Sequence, residues 1–241
     1  MADEDMAADA VRLQDVTKRF GGRPRVTALD GVSLTLRRGA VCALVGENGA
    51  GKSTLLRIIA GTIDPDCGTV HRPNRVGILL GNSFGLYDRL TAREYLTYIG
   101  ALRGLSPGEL GLRIDAVVSE LRIDRFIDRR CGGFSAGMRQ RTALAASVLH
   151  HPELVLLDEP TTGLDIAVRE QVVAAISGLA GGGRSMIIST HHPEEFREIA
   201  TEVVIMRDGQ IVRHLNRADP ALTEPGGIAR AAIAEIRGAS N

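Results

Sequence analysis

The run Gly46-Glu47-Asn48-Gly49-Ala50-Gly51-Lys52-Ser53 has the residue types and spacing of a phosphate cradle. Glycines let backbone N–H groups close on an oxyanion, and a helix starting at the lysine adds the positive end of its dipole. Lys52 can reach the terminal phosphates of a nucleotide, and the Ser53 hydroxyl can ligate Mg²⁺. With 28 glycines in 241 residues and very few lysines, the fixed positions of this pattern arise by chance roughly 0.003 times. Only Lys18 and Lys52 stand against 27 arginines. A lysine therefore occupies the position where a compact ammonium fits between phosphates and a planar, forked guanidinium does not.

A second group lies at the end of Leu154-Val155-Leu156-Leu157-Asp158-Glu159, an apolar run that finishes in two carboxylates. Charges there are costly unless they meet a cation or perform chemistry. Asp158 suits Mg²⁺ through water, and Glu159 is placed beyond the terminal phosphate, where a general base would polarise an attacking water. Ser189-Thr190-His191-His192 closes another apolar run and brings imidazole to the same edge.

These groups require a strand that feeds the loop and a helix that leaves it. Ala40 to Val45 reads as a buried strand, and Ser53 to Ala60 as a helix packed on a sheet. Further strands are expected at Arg12 to Thr17, Gly31 to Leu36, Thr69 to Arg72, Val76 to Leu80, Leu154 to Leu157 and Met186 to Ser189. Between them the pattern turns helical at Thr91 to Arg103, from Ser106 to about Leu121, and at Ser135 to His150, which marks an inserted helical subdomain over about 84–150. Ser106-Pro107 with Glu109 reads as a capping box. Ile166 to Leu179 reads as a helix ended by Gly181-Gly182-Gly183, and an Ala-rich helix is expected from about Ile228 to Arg237. The core is α/β with a mostly parallel sheet. Residues 1–10 are expected to be disordered, residues 11–215 to form the main domain, and residues 216–241 to form a C-terminal tail with a short helix.

Composition sets limits on partners. The 29 basic and 29 acidic residues cancel, and aromatic residues make up only 3% of the chain, which speaks against nucleic-acid binding. No apolar stretch reaches 18 residues, and Met1-Ala2-Asp3-Glu4-Asp5 is acidic where a secretory leader is basic. The expectation is a chain that neither spans a membrane nor leaves the cytosol. Cys42, Cys67 and Cys131 show no metal-ligand spacing and are expected to be buried or idle thiols in a reducing compartment.

The phosphate loop, the strand ending in Asp158-Glu159, and Phe134-Ser135-Ala136-Gly137-Met138 together resemble the nucleotide-binding subunit of ABC transporters, over about Val11 to Leu215. Phe134 to Met138 stands where that family has Leu-Ser-Gly-Gly-Gln; Ser135 and Gly137 match, while Phe134, Ala136 and Met138 depart. The resemblance implies a P-loop NTPase fold of the ABC ATPase type, with an N-terminal antiparallel β part beside the core sheet. It implies ATP and Mg²⁺ as ligands, with Thr54 joining Gly46 to Ser53 in holding the nucleotide and Phe20 stacking on adenine. Lys52, Glu159 and His191 would carry hydrolysis, His191 as the switch histidine that senses the γ-phosphate, with Ser53 and Asp158 on the metal. Two subunits would sandwich two ATPs, the signature at Ser135 gripping the nucleotide held by the other subunit. Thr162-Gly163-Leu164-Asp165 matches the dimer-contacting loop, through Asp165.

At one position the resemblance fails. Gly81, followed by Asn82 and Ser83, stands where the family commonly has a glutamine that touches Mg²⁺ and the membrane partner. Either Asn82 or water replaces that ligand, or the loop serves only the partner. Phe84 to Glu94 and Phe134 to Arg141 look most like ATPases of sodium-efflux and multidrug exporters, which pair with a separately encoded permease. The resulting expectation is an ATPase subunit that dimerises with itself or a paralogue. It would drive an integral membrane permease in the export direction, from the cytoplasmic face of the cell membrane and without nucleic acid. The alternative is a soluble ABC ATPase without a permease, for which tandem cassettes, coiled-coil inserts or a basic surface would speak.

Overall fold

The computed structural model describes residues 9–22, 24–81 and 85–237. Two sheets form the body. β1 (Asp9–Phe20), β2 (Val26–Arg37) and β4 (Cys67–His71) make a small antiparallel sheet in the order β2-β1-β4. The larger sheet has the order β5-β6-β7-β3-β8-β9, from β3 (Val41–Val45), β5 (Val76–Leu79), β6 (Leu154–Asp158), β7 (Ser185–Thr190), β8 (Glu202–Arg207) and β9 (Gln210–Asn216). All its pairs are parallel except β8 with β9. The first strand starts earlier than the sequence suggested: Asp9 and Ala10 are already in β1 and buried, with the Asp9 carboxylate accepting from Arg12 Nε at 2.9 Å.

β3, β6 and β7 are buried at every residue because both faces of the sheet are covered, which is why they read as unbroken apolar runs. Side chains alternate between faces with the period of a strand. Cys42, Leu44, Leu154, Leu156 and Ile187 point toward the antiparallel sheet and α1 (Lys52–Ala60). Val41, Val155, Leu157, Met186 and Ile188 point toward the helices on the other side.

Those helices are α2 (Ala92–Leu102), α3 (Pro107–Glu120), α4 (Ala136–Val148) and α5 (Ile166–Gly181). Ser106 and Glu109 form the capping box read from the sequence, and Thr91 with Glu94 forms another at the start of α2. A side-chain cap of this kind contributes about 1 kcal/mol. Residues of α2, α3 and α4 share one apolar cluster with the sheet: Leu96, Ile114, Val117 and Leu144 pack into the same core as Val155 and Ile188.

The C-terminal segment, expected as a tail, is seated on the sheet. α6 (Pro220–Thr223) and α7 (Gly227–Arg237) set Leu222, Ile228, Ala231 and Ala232 against Ala43, Val45, Val203, Ile205 and Leu215. The Glu194 carboxylate accepts from the backbone N–H groups of Gly226 (3.2 Å) and Ala229 (3.1 Å), a capping interaction at the start of α7. No helix among the described residues is long and apolar enough to cross a membrane.

Candidate functional site

Strand register assembles the site. Val45 pairs with Thr190, and Asp158 pairs with Ser189, so the carboxyl ends of β3, β7 and β6 lie side by side. Gly46, Glu159 and His191 each follow within a residue or two, which brings the phosphate loop, the paired acids and the histidine to one sheet edge. This is where ligands of open α/β sheets collect.

The loop from Gly46 to Gly51 runs from β3 into α1, and its shape is fixed by close backbone approach. A Cβ on Gly46 would collide with the Met206 carbonyl, and one on Gly51 would lie 2.5 Å from the Ala28 carbonyl. Gly51 also has φ +101°, a left-handed conformation that other residues rarely adopt. As the N-cap of α1 it offers no side-chain hydrogen bond to the amides of the first turn, the groups that bind anions at helix N-termini. Glu47, Asn48 and Gly49 are exposed, Ala50 is buried, and Ser53 and Thr54 are half-buried in the first turn of α1. The tight Asp208-Gly209 turn between β8 and β9 braces the loop from behind: Gly209 N–H donates to Ala50 O at 3.2 Å, and Asp30 N–H donates to Gly209 O at 2.9 Å.

Lys52 is buried, and its ammonium donates to the carbonyls of Gly46 (2.6 Å) and Glu47 (3.0 Å), with Glu159 Oε1 at 3.9 Å. Burial pushes its pKa below the ordinary lysine value, while the carboxylates of Glu159 and Asp158 pull the other way. Asp158, also buried, accepts from the Ser189 hydroxyl at 2.5 Å. Glu159 has φ +52°, uncommon for a residue with a long side chain, and its N–H is held by Ser189 O (3.1 Å) and Ser189 Oγ (3.0 Å). Its carboxylate lies 2.6 Å from His191 Nδ1 and accepts from Thr162 Oγ1 at 2.9 Å. Lys52, Glu159 and His191 thus form one contact chain.

Phe134 to Met138, expected as the signature, lie elsewhere. Phe134 is buried, edge-on to Phe126 at 5.2 Å. Ser135 caps α4 by accepting from Met138 N–H at 3.3 Å, and Ser135 and Ala136 are exposed. Among the described residues, no hydrogen bond joins Ser135 to Met138 with the phosphate loop, Glu159 or His191. α4 is nevertheless tied to the turn that follows Glu159, since Gln140 Nε2 donates to Pro160 O at 2.6 Å in a buried contact. Asp165 caps α5 through Val168 N–H at 3.0 Å. Val168 in turn packs against Gly137, where a Cβ would come within 2.5 Å of Val168 Cγ1. Gly137 is therefore required by helix packing inside one chain. We expect Gly137→Ala to lose about 1–3 kcal/mol of stability through overpacking, and Val168→Ala to restore most of it; urea unfolding that shows no recovery in the double variant would refute this.

Phe20 is 43% exposed at the end of β1, with the Lys18 ammonium 5.6 Å from its ring centroid. Lys18 pairs with Leu29, whose side chain lies against Gly51, so β1 runs toward the loop. Gly81 is exposed with φ +71°, at a bend just after β5. Asn82, Ser83 and Phe84 lie outside the described residues. Residues that sequence reading did not single out are Ser189 as the hydroxyl on Asp158, Gln140, and the Asp208-Gly209 turn; the last carries a plain signal, an Asp-Gly pair between two strand-like runs.

A triphosphate with Mg²⁺ fits these residues. Gly46 and Gly51 leave no room for side chains, the buried Lys52 ammonium is held by carbonyls, and Ser53 in the first turn of α1 and Asp158 at the end of β6 supply a hydroxyl and a carboxylate. No cluster of three or more His, Cys, Asp or Glu suited to a metal occurs among the described residues. Mg²⁺ takes one or two protein ligands and completes its shell with water and phosphate oxygens, so a hydroxyl and a carboxylate are a donor set that fits it.

The ABC transporter family model matches residues 29–162, from β2 through the phosphate loop to Thr162. The ABC transporter ATP-binding protein NatA of Bacillus subtilis is 38% identical, over 84% of this chain and 87% of its own length. The daunorubicin resistance ATP-binding protein DrrA3 of Streptomyces coeruleorubidus is 32% identical, over 92% of this chain and 72% of its own. A dimeric post-hydrolysis structure of the ATP-binding cassette MJ0796, bound to ADP and Pi, superposes with a TM-score of 0.76 at 25% identity, covering 86% of this chain and 98% of that one. Fold and site define an ATP-hydrolysing cassette of the P-loop class. The chain belongs to the ABC transporter family, as an ATP-binding subunit.

Proposed function

We propose that two copies of this chain, or one copy and a paralogue, close around two ATP molecules and power an integral membrane permease from the cytoplasmic face, in the export direction. The observation that carries this reading is the split of the site. Phosphate loop, acids and histidine share one sheet edge, whereas the anion-gripping start of α4 stands exposed and makes no hydrogen bond to them among the described residues. A second subunit supplies the missing half.

In this reading the loop amides and Lys52 hold the phosphates, Ser53 and Asp158 hold Mg²⁺, and Phe20 offers a face to adenine. Mg²⁺ would neutralise charge on the phosphate oxygens. Glu159, fixed by Ser189 and Thr162, accepts a proton from the attacking water, and His191 orients that carboxylate. Ser135 and the α4 dipole grip the nucleotide on the opposite subunit. Closure is transmitted within each chain, because α4 is bound to the turn after Glu159 through Gln140 and to α5 through Gly137 and Val168. Export is supported by the likeness of Phe84 to Glu94 and Phe134 to Arg141 to exporter ATPases, and by the daunorubicin-resistance relative.

Detergent extraction of native membranes followed by affinity purification of the tagged chain tests the proposal. Copurification of a multi-span protein whose presence changes ATP turnover is expected. Recovery of an active ATPase free of any membrane protein would overturn it in favour of a cassette that works without a permease.

A further inference from the structure

A cavity of about 540 Å³ walled by His71, Arg72, Arg75, Arg103 and His150 takes no part in the site above. Its size falls in the range of small-molecule sites. It lies where the end of β4, the start of β5 and the ends of α1 and α2 meet. Five cationic or potentially cationic side chains converge there, and no carboxylate lines it. The nearest acid in contact with a lining residue is Glu153, 4.0 Å from Arg75 and already paired with Arg38 at 2.9 Å.

Arg72, Arg75 and Arg103 are exposed, and two features order the recess beneath them. Gly61, the C-cap of α1, leaves the space that the Arg72 guanidinium fills, and Arg72 Nη1 lies 3.5 Å from Ile58 O. His150 is 7% exposed and bonds Val76 O through Nε2 at 3.2 Å, while its Nδ1 is buried with no hydrogen-bond partner. Burial and the guanidiniums of Arg103, Arg75 and Arg113 push its pKa below the usual histidine value, so like charges act on this corner from several elements. Arg113 is engaged in capping α4 through Leu149 O and Val148 O. Arg103 has no ion-pair partner among the described residues.

We propose that this cavity binds a compact, soluble, phosphate-bearing anion through Arg72, Arg75 and Arg103. Guanidinium forks match phosphate oxygens in pairs, and a multivalent anion relieves the mutual repulsion of the cluster. The ligand would meet Arg72, whose guanidinium covers the negative, C-terminal end of α1 at Ile58 O, the helix whose first turn carries Lys52 and Ser53.

The test is calorimetric titration of the chain, saturated with ADP so that the phosphate loop is filled, with inorganic pyrophosphate as the probe. One further site is expected, with ADP retained and the His150 imidazole resonances shifting on binding. Arg103→Glu, an exposed position, should weaken that site at least about tenfold, the loss of one charge-assisted contact, and leave ATP turnover without pyrophosphate unchanged; Arg75→Glu should act likewise. Absence of a second site in the ADP-saturated chain, or undiminished affinity in both variants, would overturn the proposal. So would a response to phosphatidylglycerol vesicles with none to pyrophosphate, which would assign the basic corner to a membrane surface.

Discussion

Glu159→Gln is expected to cut ATP turnover by roughly 10²–10⁴-fold while leaving ATP bound. The substitution keeps side-chain shape, and an amide still offers an oxygen to Thr162 Oγ1 and to His191 Nδ1, 2.9 Å and 2.6 Å from the native carboxylate. The backbone hydrogen bonds from Glu159 N–H to Ser189 are untouched, so the strained φ of +52° persists. What disappears is a group able to take a proton from water. With hydrolysis blocked and phosphate binding intact, the closed state should accumulate, read as an ATP-dependent shift from monomer to dimer in light scattering with ATP recovered from the dimer fraction. Full turnover by this variant would remove Glu159 from the base role. A blocked enzyme that stays monomeric with ATP bound would contradict the two-subunit site.

How much of this was legible beforehand depended on whether the physical constraint is contiguous in the chain. Gly46 to Ser53 could be read because close approach, charge and helix start fall within eight residues, and the structure places Gly46 and Gly51 where no side chain fits. The capping box at Ser106 and Glu109 is likewise local, and it forms as read. Buried strands were legible through their unbroken apolar runs, with boundaries shifted by a residue or a few. Contacts that depend on strand order were not: Ser189 reaches Asp158 only because β7 lies beside β6, and local pattern does not specify the order β5-β6-β7-β3-β8-β9. The reason for Gly137 was hidden in the same way, since Val168 is distant in sequence and meets it only after α4 and α5 pack. β8 and β9 were missed although Val203 to Met206 and the Asp208-Gly209 turn carry an ordinary hairpin signal. Gly81 shows the converse: the sequence marks a departure from the family's glutamine, and the structure gives the glycine a positive φ of +71° that a glutamine would not readily adopt.

Lys52→Ala should abolish tight nucleotide binding, with Mg-ATP affinity falling on the order of 100-fold or more. The ammonium lies at this edge, 3.9 Å from Glu159 and held by the carbonyls of Gly46 and Glu47 at 3.0 Å or less. Charge-assisted hydrogen bonds contribute about 1.5–3 kcal/mol each, so losing contacts to two phosphates amounts to roughly 3 kcal/mol or more. Lys52→Arg should also fail: the buried position beneath the loop suits a compact ammonium, and a planar guanidinium would have to displace the carbonyl of Gly46 or Glu47 to enter. Both variants should bind adenosine, which lacks phosphates, as weakly as the parent does, so the loss is specific to the triphosphate. Equilibrium titration with a fluorescent ATP analogue separates the outcomes. Unchanged affinity in Lys52→Ala would mean that the loop amides alone hold the nucleotide, whereas a parent-like Lys52→Arg would mean that only positive charge, and not the compactness of the ammonium, is required beneath the loop.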